Sequence, residues 1–287
     1  MSLSMAHSSL NTTAISFEFF PPKSSEGDNK LVAAARALKG YHPAFVSVTF
    51  GALGSTSTRT PDSVALLQKE GLVDVAPHLT VVGLDKEAIA NLLDAYKAQG
   101  VKRIVALRGD KQEGSVMAFP YASHLVAFIR QRYGNHFHIE VAAYPEVHPE
   151  ATSARDDLFH LKEKIEAGAQ GAITQYFYNL DAYCYFVEAC QRIGITAPIV
   201  PGIMPIYGRE QLLRFSARCG AEVPRWLDKR LADLAVQDAQ SFGIEVLTRL
   251  CQRLCQHGAP ALHFYTLNES KLVAAILDNL GFQARAS

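Results

Sequence analysis

Two carboxylates stand out by the company they keep. Glu18 lies within Phe17-Glu18-Phe19-Phe20, and Asp110 closes the run Arg103-Ile-Val-Ala-Leu-Arg-Gly-Asp110. A carboxylate set between phenylalanines and turned away from water loses solvation of its charged form, so its pKa is expected to rise. A carboxyl group that keeps its proton near neutral pH is suited to general-acid work. Asp110 ends an apolar stretch that reads as one buried strand, and enzymes built on parallel barrels keep their reactive groups at such ends. Taken alone, Asp110 equally suits an ordinary turn.

The elements needed to position these residues alternate along the chain. Strands are expected at 15–20, 44–51, 75–82, 102–108, 137–144, 172–177, 198–203 and 261–266. Helices are expected at 28–39, 61–69, 86–99, 122–133, 152–167, 180–192 and 270–280, with glycines such as Gly40, Gly100, Gly134 and Gly168 as stops. From 209 to 257 the pattern is helical for longer than one helix and is interrupted at Gly220, Pro224 and Gly243. Eight strands alternating with helices, at a spacing of roughly 30 residues, predict an α/β fold: a (β/α)8 TIM barrel with extra helices between strands seven and eight. A doubly wound sheet is the competing architecture, but neither G-x-G-x-x-G nor G-x-x-x-x-G-K-[ST] occurs. Residues 1–14 read as a disordered tail and 15–287 as a single catalytic barrel.

Alternation within a barrel strand sends successive side chains to the lumen and to the helix layer. Ile15, Phe17 and Phe19 suit the helix layer, which leaves Ser16, Glu18 and Phe20 for the lumen. By the same parity Ser47 and Thr49, then Ala76, His78 and Thr80, then Glu140, Ala142 and Tyr144 face inward. For the sixth strand the two faces, Ala172/Thr174/Tyr176 and Ile173/Gln175/Phe177, both remain open. The lumen then gathers Glu18, Thr49, His78, Asp110, Tyr144 and Gln175 near the C-terminal mouth. Each has an ordinary structural role available; their convergence points to a binding site.

Composition narrows the function class. Lys and Arg total 28 against 28 Asp and Glu, with 48% hydrophobic residues, so nothing marks a nucleic-acid or anionic-membrane surface. Five cysteines without a C-x-x-C pair, and no secretory leader pattern, predict reduced thiols in the cytoplasm. No H-E-x-x-H is present and the ten histidines scatter, so no metal site is expected; the absence of G-x-S-x-G speaks against a serine hydrolase.

Eight segments taken together resemble methylenetetrahydrofolate reductase of the bacterial, catalytic-domain-only kind. They are Phe17-Glu-Phe-Phe-Pro-Pro22, Ser47-Val-Thr-Phe-Gly51, Ala76-Pro-His-Leu-Thr80, Ala106-Leu-Arg-Gly-Asp110, Ala143-Tyr-Pro-Glu-Val-His-Pro-Glu150, Ile173-Thr-Gln-Tyr-Phe177, Pro201-Gly-Ile-Met-Pro205 and Phe264-Tyr-Thr-Leu-Asn268. The resemblance implies FAD at the C-terminal mouth, lined by Thr49, His78, Leu107, Arg108, Gly109, Asp110, Tyr121, Ala122, Tyr144, His148, Asp157 and Lys164. It implies Glu18 as general acid, Asp110 beside flavin and pterin, and Gln175, Gln211 and Phe215 as contacts for folate and for NADH or NADPH. It further implies a homo-oligomer working in one-carbon metabolism. Three departures are visible: His160 and Glu163 stand where some bacterial members carry Asn and Arg, and Glu269 where the family usually has arginine. The alternatives are another flavin-dependent barrel, such as a proline-dehydrogenase-like enzyme, and a folate-binding barrel without redox activity.

Overall fold

The computed structural model describes residues 13–50, 59–72, 74–110, 114 and 117–285. In chain order these form β1 (Ala14–Phe19), α1 (Ser25–Lys39), β2 (Phe45–Val48), α2 (Arg59–Lys69), β3 (Val75–Thr80), α3 (Lys86–Ala98), β4 (Arg103–Leu107), α4 (Ala122–Tyr133), β5 (His138–Ala143), α5 (Ala154–Glu166), β6 (Gly171–Thr174) and α6 (Leu180–Arg192). There follow β7 (Ile199–Val200), β8 (Gly202–Ile203), α7 (Arg209–Cys219), α8 (Arg225–Ala232), α9 (Val236–Gln256), β9 (Ala261–Tyr265) and α10 (Lys271–Asn279). Every strand pairs in parallel with its neighbours, and β1 pairs with both β2 and β9. β7 pairs with β6 and β8 with β9. Proline has no N–H for the ladder, so Pro201 breaks what is topologically a single seventh strand. The result is the expected (β/α)8 barrel, closed between its first and last strands.

Local chemistry explains the elements. Leu31, Ala34, Ala35 and Leu38 repeat at helical spacing and form the buried stripe of α1, whose N-terminus is capped by the Ser24 hydroxyl accepting from Gly27 N–H. Asp85 and Ser153 cap α3 and α5 in the same way. Phe17, Phe19, Val46, Val48, Ile104 and Ile139 turn outward into the main core between sheet and helices, while Phe45, Ala76, Val105 and Ile173 form a small separate core inside the barrel. The open parity of β6 is thereby resolved: Ile173, and Gln175 two residues on, face inward. Among the described residues no helix is long and apolar enough to cross a membrane.

The N-terminal end of the lumen is closed by charge. Arg103 Nε donates to Asp74 at 2.7 Å and its Nη1 to Glu140 at 2.8 Å, with the guanidinium 4.5 Å from the centre of the Phe45 ring. Glu140 has room only because residue 171 is glycine: a Cβ there would lie 2.3 Å from its Oε2.

Two expectations are corrected. Gly243 does not interrupt the helical stretch; it lies inside α9, and the break falls between α8 and α9 at residues 233–235. A Cβ on Gly243 would come within 2.8 Å of Ile206 Cβ, so the glycine serves close packing. β1 begins at Ala14, inside the expected tail; the rest of that tail, residues 1–12, lies outside the described residues, as does Gly51.

Candidate active site

Two cavities open at the C-terminal mouth. The larger, about 620 Å³, is walled by Glu18, Thr49, His78, Gln175 and Phe215 among others; the smaller, about 390 Å³, by Arg108, Tyr121, Ala122, His148, Asp157 and Lys164. Leu107, Gly109, Asp110, Ala142 and Tyr144 line both, so the two spaces share a wall. Gly109 makes that wall possible with a left-handed φ of +84°, and a Cβ on it would press to 3.2 Å from Thr80. Fifteen of the sixteen residues expected at the site line one cavity or both. Gln211 lines neither: it lies one turn before Phe215 on α7, half-buried.

Glu18 is the most perturbed acid in the larger cavity. Its Oε2 is 3.3 Å from His78 Nε2 and 3.6 Å from His263 Nε2, and neither ring nitrogen has an aligned hydrogen-bond partner. His263 is fully buried and its Nδ1 lies 2.8 Å from the Ser16 hydroxyl. Burial is the largest single influence on Glu18 and pushes its pKa up, as expected from the flanking phenylalanines. The two imidazoles together outweigh it and hold the carboxyl at about 2. The expected upward shift is therefore corrected to a downward one. The imidazoles pull only while they carry charge, and without that charge burial alone would govern.

His263 is a functional candidate that parity on the last strand would have exposed, and its partner Ser16 is one of the residues that first-strand parity turns into the lumen. His263 and Tyr265 alternate with Leu262 and Phe264, which both lie in the outer core. Tyr265 crosses the lumen to donate to the Thr174 carbonyl at 2.6 Å, beside Gly202, whose missing Cβ leaves space for the ring.

The smaller cavity is organised by the loop between β5 and α5. Asp157 accepts from His148 N–H at 3.0 Å, and His148 Nδ1 accepts from Glu150 N–H at 3.0 Å. An accepting Nδ1 requires the proton of the neutral ring to sit on Nε2, so His148 is set as a donor. Burial, then nearby Arg108, lowers its pKa and favours that neutral form. Val147, immediately before His148, has φ +71°, a strained backbone of the kind that collects at functional sites. Lys164 donates to the Ala142 carbonyl at 2.6 Å, and burial lowers its pKa to about 8. At the rim Tyr121 stacks on His160 at 5.1 Å, and His160 pairs with Glu163 at 3.0 Å. The two departures on α5 thus form one cavity-edge unit. Glu269 is exposed and lines neither cavity.

Residues 4–281 match the family model for methylenetetrahydrofolate reductase. The chain belongs to the methylenetetrahydrofolate reductase family. The 5,10-methylenetetrahydrofolate reductase of Escherichia coli (strain K12) is 37% identical over 270 residues, covering 93% of this chain and 90% of the relative. Methylenetetrahydrofolate reductase (NADH) 1 of Arabidopsis thaliana is 38% identical over 286 residues, covering 94% of this chain but 48% of the relative. The chain therefore spans about half the length of the plant members of the family that it matches. A solved structure of an uncharacterized protein from Clostridium thermocellum, described as binding two copies of 5-methyl-5,6,7,8-tetrahydrofolic acid, superposes with a TM-score of 0.70 at 16% identity, covering 97% of each chain. That likeness supports the barrel fold. Against the methylenetetrahydrofolate reductase family, the eight segments quoted from the sequence fall on the strand ends that surround the two cavities, apart from Gly51.

Proposed function

We propose that this protein reduces 5,10-methylenetetrahydrofolate to 5-methyltetrahydrofolate with NADH or NADPH as donor and FAD as resident cofactor. The observation that carries this reading is Glu18 held against His78 and His263 in a cavity that shares a wall with a second one bearing Arg108 and Lys164. The donor set suits a flavin dinucleotide. Lys164 and Arg108 offer cations, His148 an Nε2–H donor and the Tyr121–His160 pair an aromatic edge, while Thr49, His78 and Asp110 border the adjoining space. FAD, when bound, supplies hydride transfer from the nicotinamide to the folate carbon.

The chain's own residues do the rest. The folate's five-membered ring must open to an iminium before hydride is accepted, and opening requires a proton on the departing nitrogen. Glu18 is placed to deliver it, but as an ionised carboxylate facing two imidazoles it must first receive it. His78 and His263, at 3.3 and 3.6 Å from its carboxylate, are the side chains through which that proton can arrive. Burial by itself favours the protonated carboxyl, the form that acts as the acid. Tyr144 and Leu107 separate the two cavities, and Phe215 and Gln175 close the folate side.

Absorption spectroscopy of the purified protein, followed by anaerobic reduction with NADH and mixing with methylenetetrahydrofolate, tests the reading. The expected result is a flavin spectrum that bleaches with NADH and returns with folate. No flavin after reconstitution with excess FAD would leave a folate barrel without redox chemistry; reduction by proline but no response to folate would leave a proline-oxidising barrel.

A further inference from the structure

At the mouth of the barrel the seam between the first and last strands continues on side chains after the ladder has ended. The last register pair joins Glu18 to Tyr265. Beyond it Thr266 donates both its N–H, at 3.1 Å, and its hydroxyl, at 2.7 Å, to the carbonyl of Glu18. Asn268 then faces Phe20 in the manner of a strand residue. Its Oδ1 accepts from Phe20 N–H at 3.0 Å, and its Nδ2 donates to the Phe20 carbonyl at 2.9 Å. The N–H of Asn268 itself donates to the Thr266 hydroxyl at 3.1 Å, so one hydroxyl and one amide secure the backbone on the C-terminal side of Glu18.

This arrangement is held against backbone preference. Leu267 and Asn268 are consecutive non-glycine residues with φ of +53° and +58°. Asparagine tolerates that region, but leucine does not adopt it without support. Strained positions persist where their surroundings over-determine them, and such positions cluster at functional sites. The turn serves the site in two ways. Asn268, 7% exposed, is spent entirely on backbone contacts, and Leu267 forms part of the wall of the cavity that contains Glu18.

We infer that Asn268 is a positioning residue for Glu18: its amide stands in for the strand the barrel lacks beyond Tyr265 and fixes the backbone from which Glu18 reaches His78 and His263. The inference rests on Glu18 being the acid of the reaction proposed above. Glu18 is faced by His78 from β3 and by His263 and Tyr265 from β9, so a shift of its backbone changes its distance to all three. Misplacement of a reacting group by about 1 Å is enough to cost on the order of 10²-fold.

Asn268→Gly tests this directly, because glycine keeps the left-handed turn at no steric cost and removes only the amide. A second variant, Asn268→Asp, keeps the acceptor for Phe20 N–H but sets an oxygen against the Phe20 carbonyl. In both, flavin reduction by NADH should stay within about twofold of wild type, while reoxidation by methylenetetrahydrofolate should fall roughly 10- to 100-fold. An independent readout uses flavin-free protein: the ¹³C carboxyl resonance of Glu18, assigned by its loss in Glu18→Gln, should titrate at higher pH in the variants than in wild type. A carboxylate moved away from two imidazoles keeps its burial penalty and loses their pull. If wild type is not reoxidised by the folate, the functional reading fails, and the carboxyl titration still decides the positioning. An unchanged titration in both variants, or equal slowing of both half-reactions, would overturn the inference.

Discussion

Replacing Glu18 by glutamine separates the proton from everything else the residue does. While the two imidazoles beside it carry charge, they hold the Glu18 carboxyl at about 2 and keep it ionised, so a proton that Glu18 delivers has to reach it first. His78 Nε2 and His263 Nε2 stand 3.3 and 3.6 Å from its Oε2, within reach for such a transfer. Glutamine fills the same volume and cannot pass that proton on. The folate half-reaction should therefore fall by about 10²- to 10⁴-fold, or roughly 3–5 kcal/mol of barrier. Reduction of the flavin by NADH delivers no proton to a leaving nitrogen and should change by less than about threefold. Stopped-flow absorbance under anaerobic conditions measures both. Acid unfolding adds a second signature. Because the folded pKa of Glu18 lies below the ordinary carboxyl value of 4.5, the carboxylate contributes stability above pH 4.5 that is lost as pH falls towards 2. Glu18→Gln should lack that part of the acid transition. Reoxidation by folate at the wild-type rate, or parallel slowing of both half-reactions, would show that the proton travels by another route.

Three further outcomes follow from the same geometry. Lys164, with its pKa lowered from 10.5 to about 8, is charged below pH 8, so FAD affinity should fall as pH rises through and above 8. Lys164→Met should weaken binding and flatten that dependence, which flavin fluorescence titrations between about pH 6.5 and 9.5 will reveal; a pH-independent loss would refute the assignment. Phe215 lines the cavity and is absent from the main core, so Phe215→Ala should raise the KM for NADH and folate about tenfold while costing well under the ~3–5 kcal/mol of a core phenylalanine; a large loss in urea stability with unchanged kinetics would return it to packing. Gly171→Ala should drive Glu140 off Arg103 and cost about 3–5 kcal/mol in thermal or urea unfolding, as a broken buried ion pair does; wild-type stability would mean that the charged plug relaxes freely.

The barrel was legible because alternation is a local property. Phe17 and Phe19 against Glu18, and Val46 and Val48 against Ser47, declare the two faces of their strands without reference to anything distant. The sign of the Glu18 shift was not legible for the opposite reason. The flanking phenylalanines predict burial correctly, and burial does push the pKa up, but the opposing charges come from His78 on another strand and from His263 on the last one. Gly243 was misread because a glycine in a helical pattern signals equally a stop and a close contact, and only the position of Ile206 distinguishes them. The sharp helix end at Gly220, with φ +72°, is the case where the stop reading holds. Lys164 and Asp157 came to attention through resemblance alone; charges on a helix read as a solvated face until the loop carrying His148 is seen folded back on them.

The seam that joins β1 to β9 also sets when the molecule can become competent. Ser16 and His263 meet across 247 positions of sequence, and Phe20 and Asn268 across 248. Contacts of such long range close late, because loop-closure entropy is spent before any of them forms. Glu18 therefore has only one of its two imidazoles until β9 has emerged and docked on β1. The proton chemistry proposed for Glu18 would thus become available late in folding, and a chain shortened before β9 should fail in the folate half-reaction for want of His263.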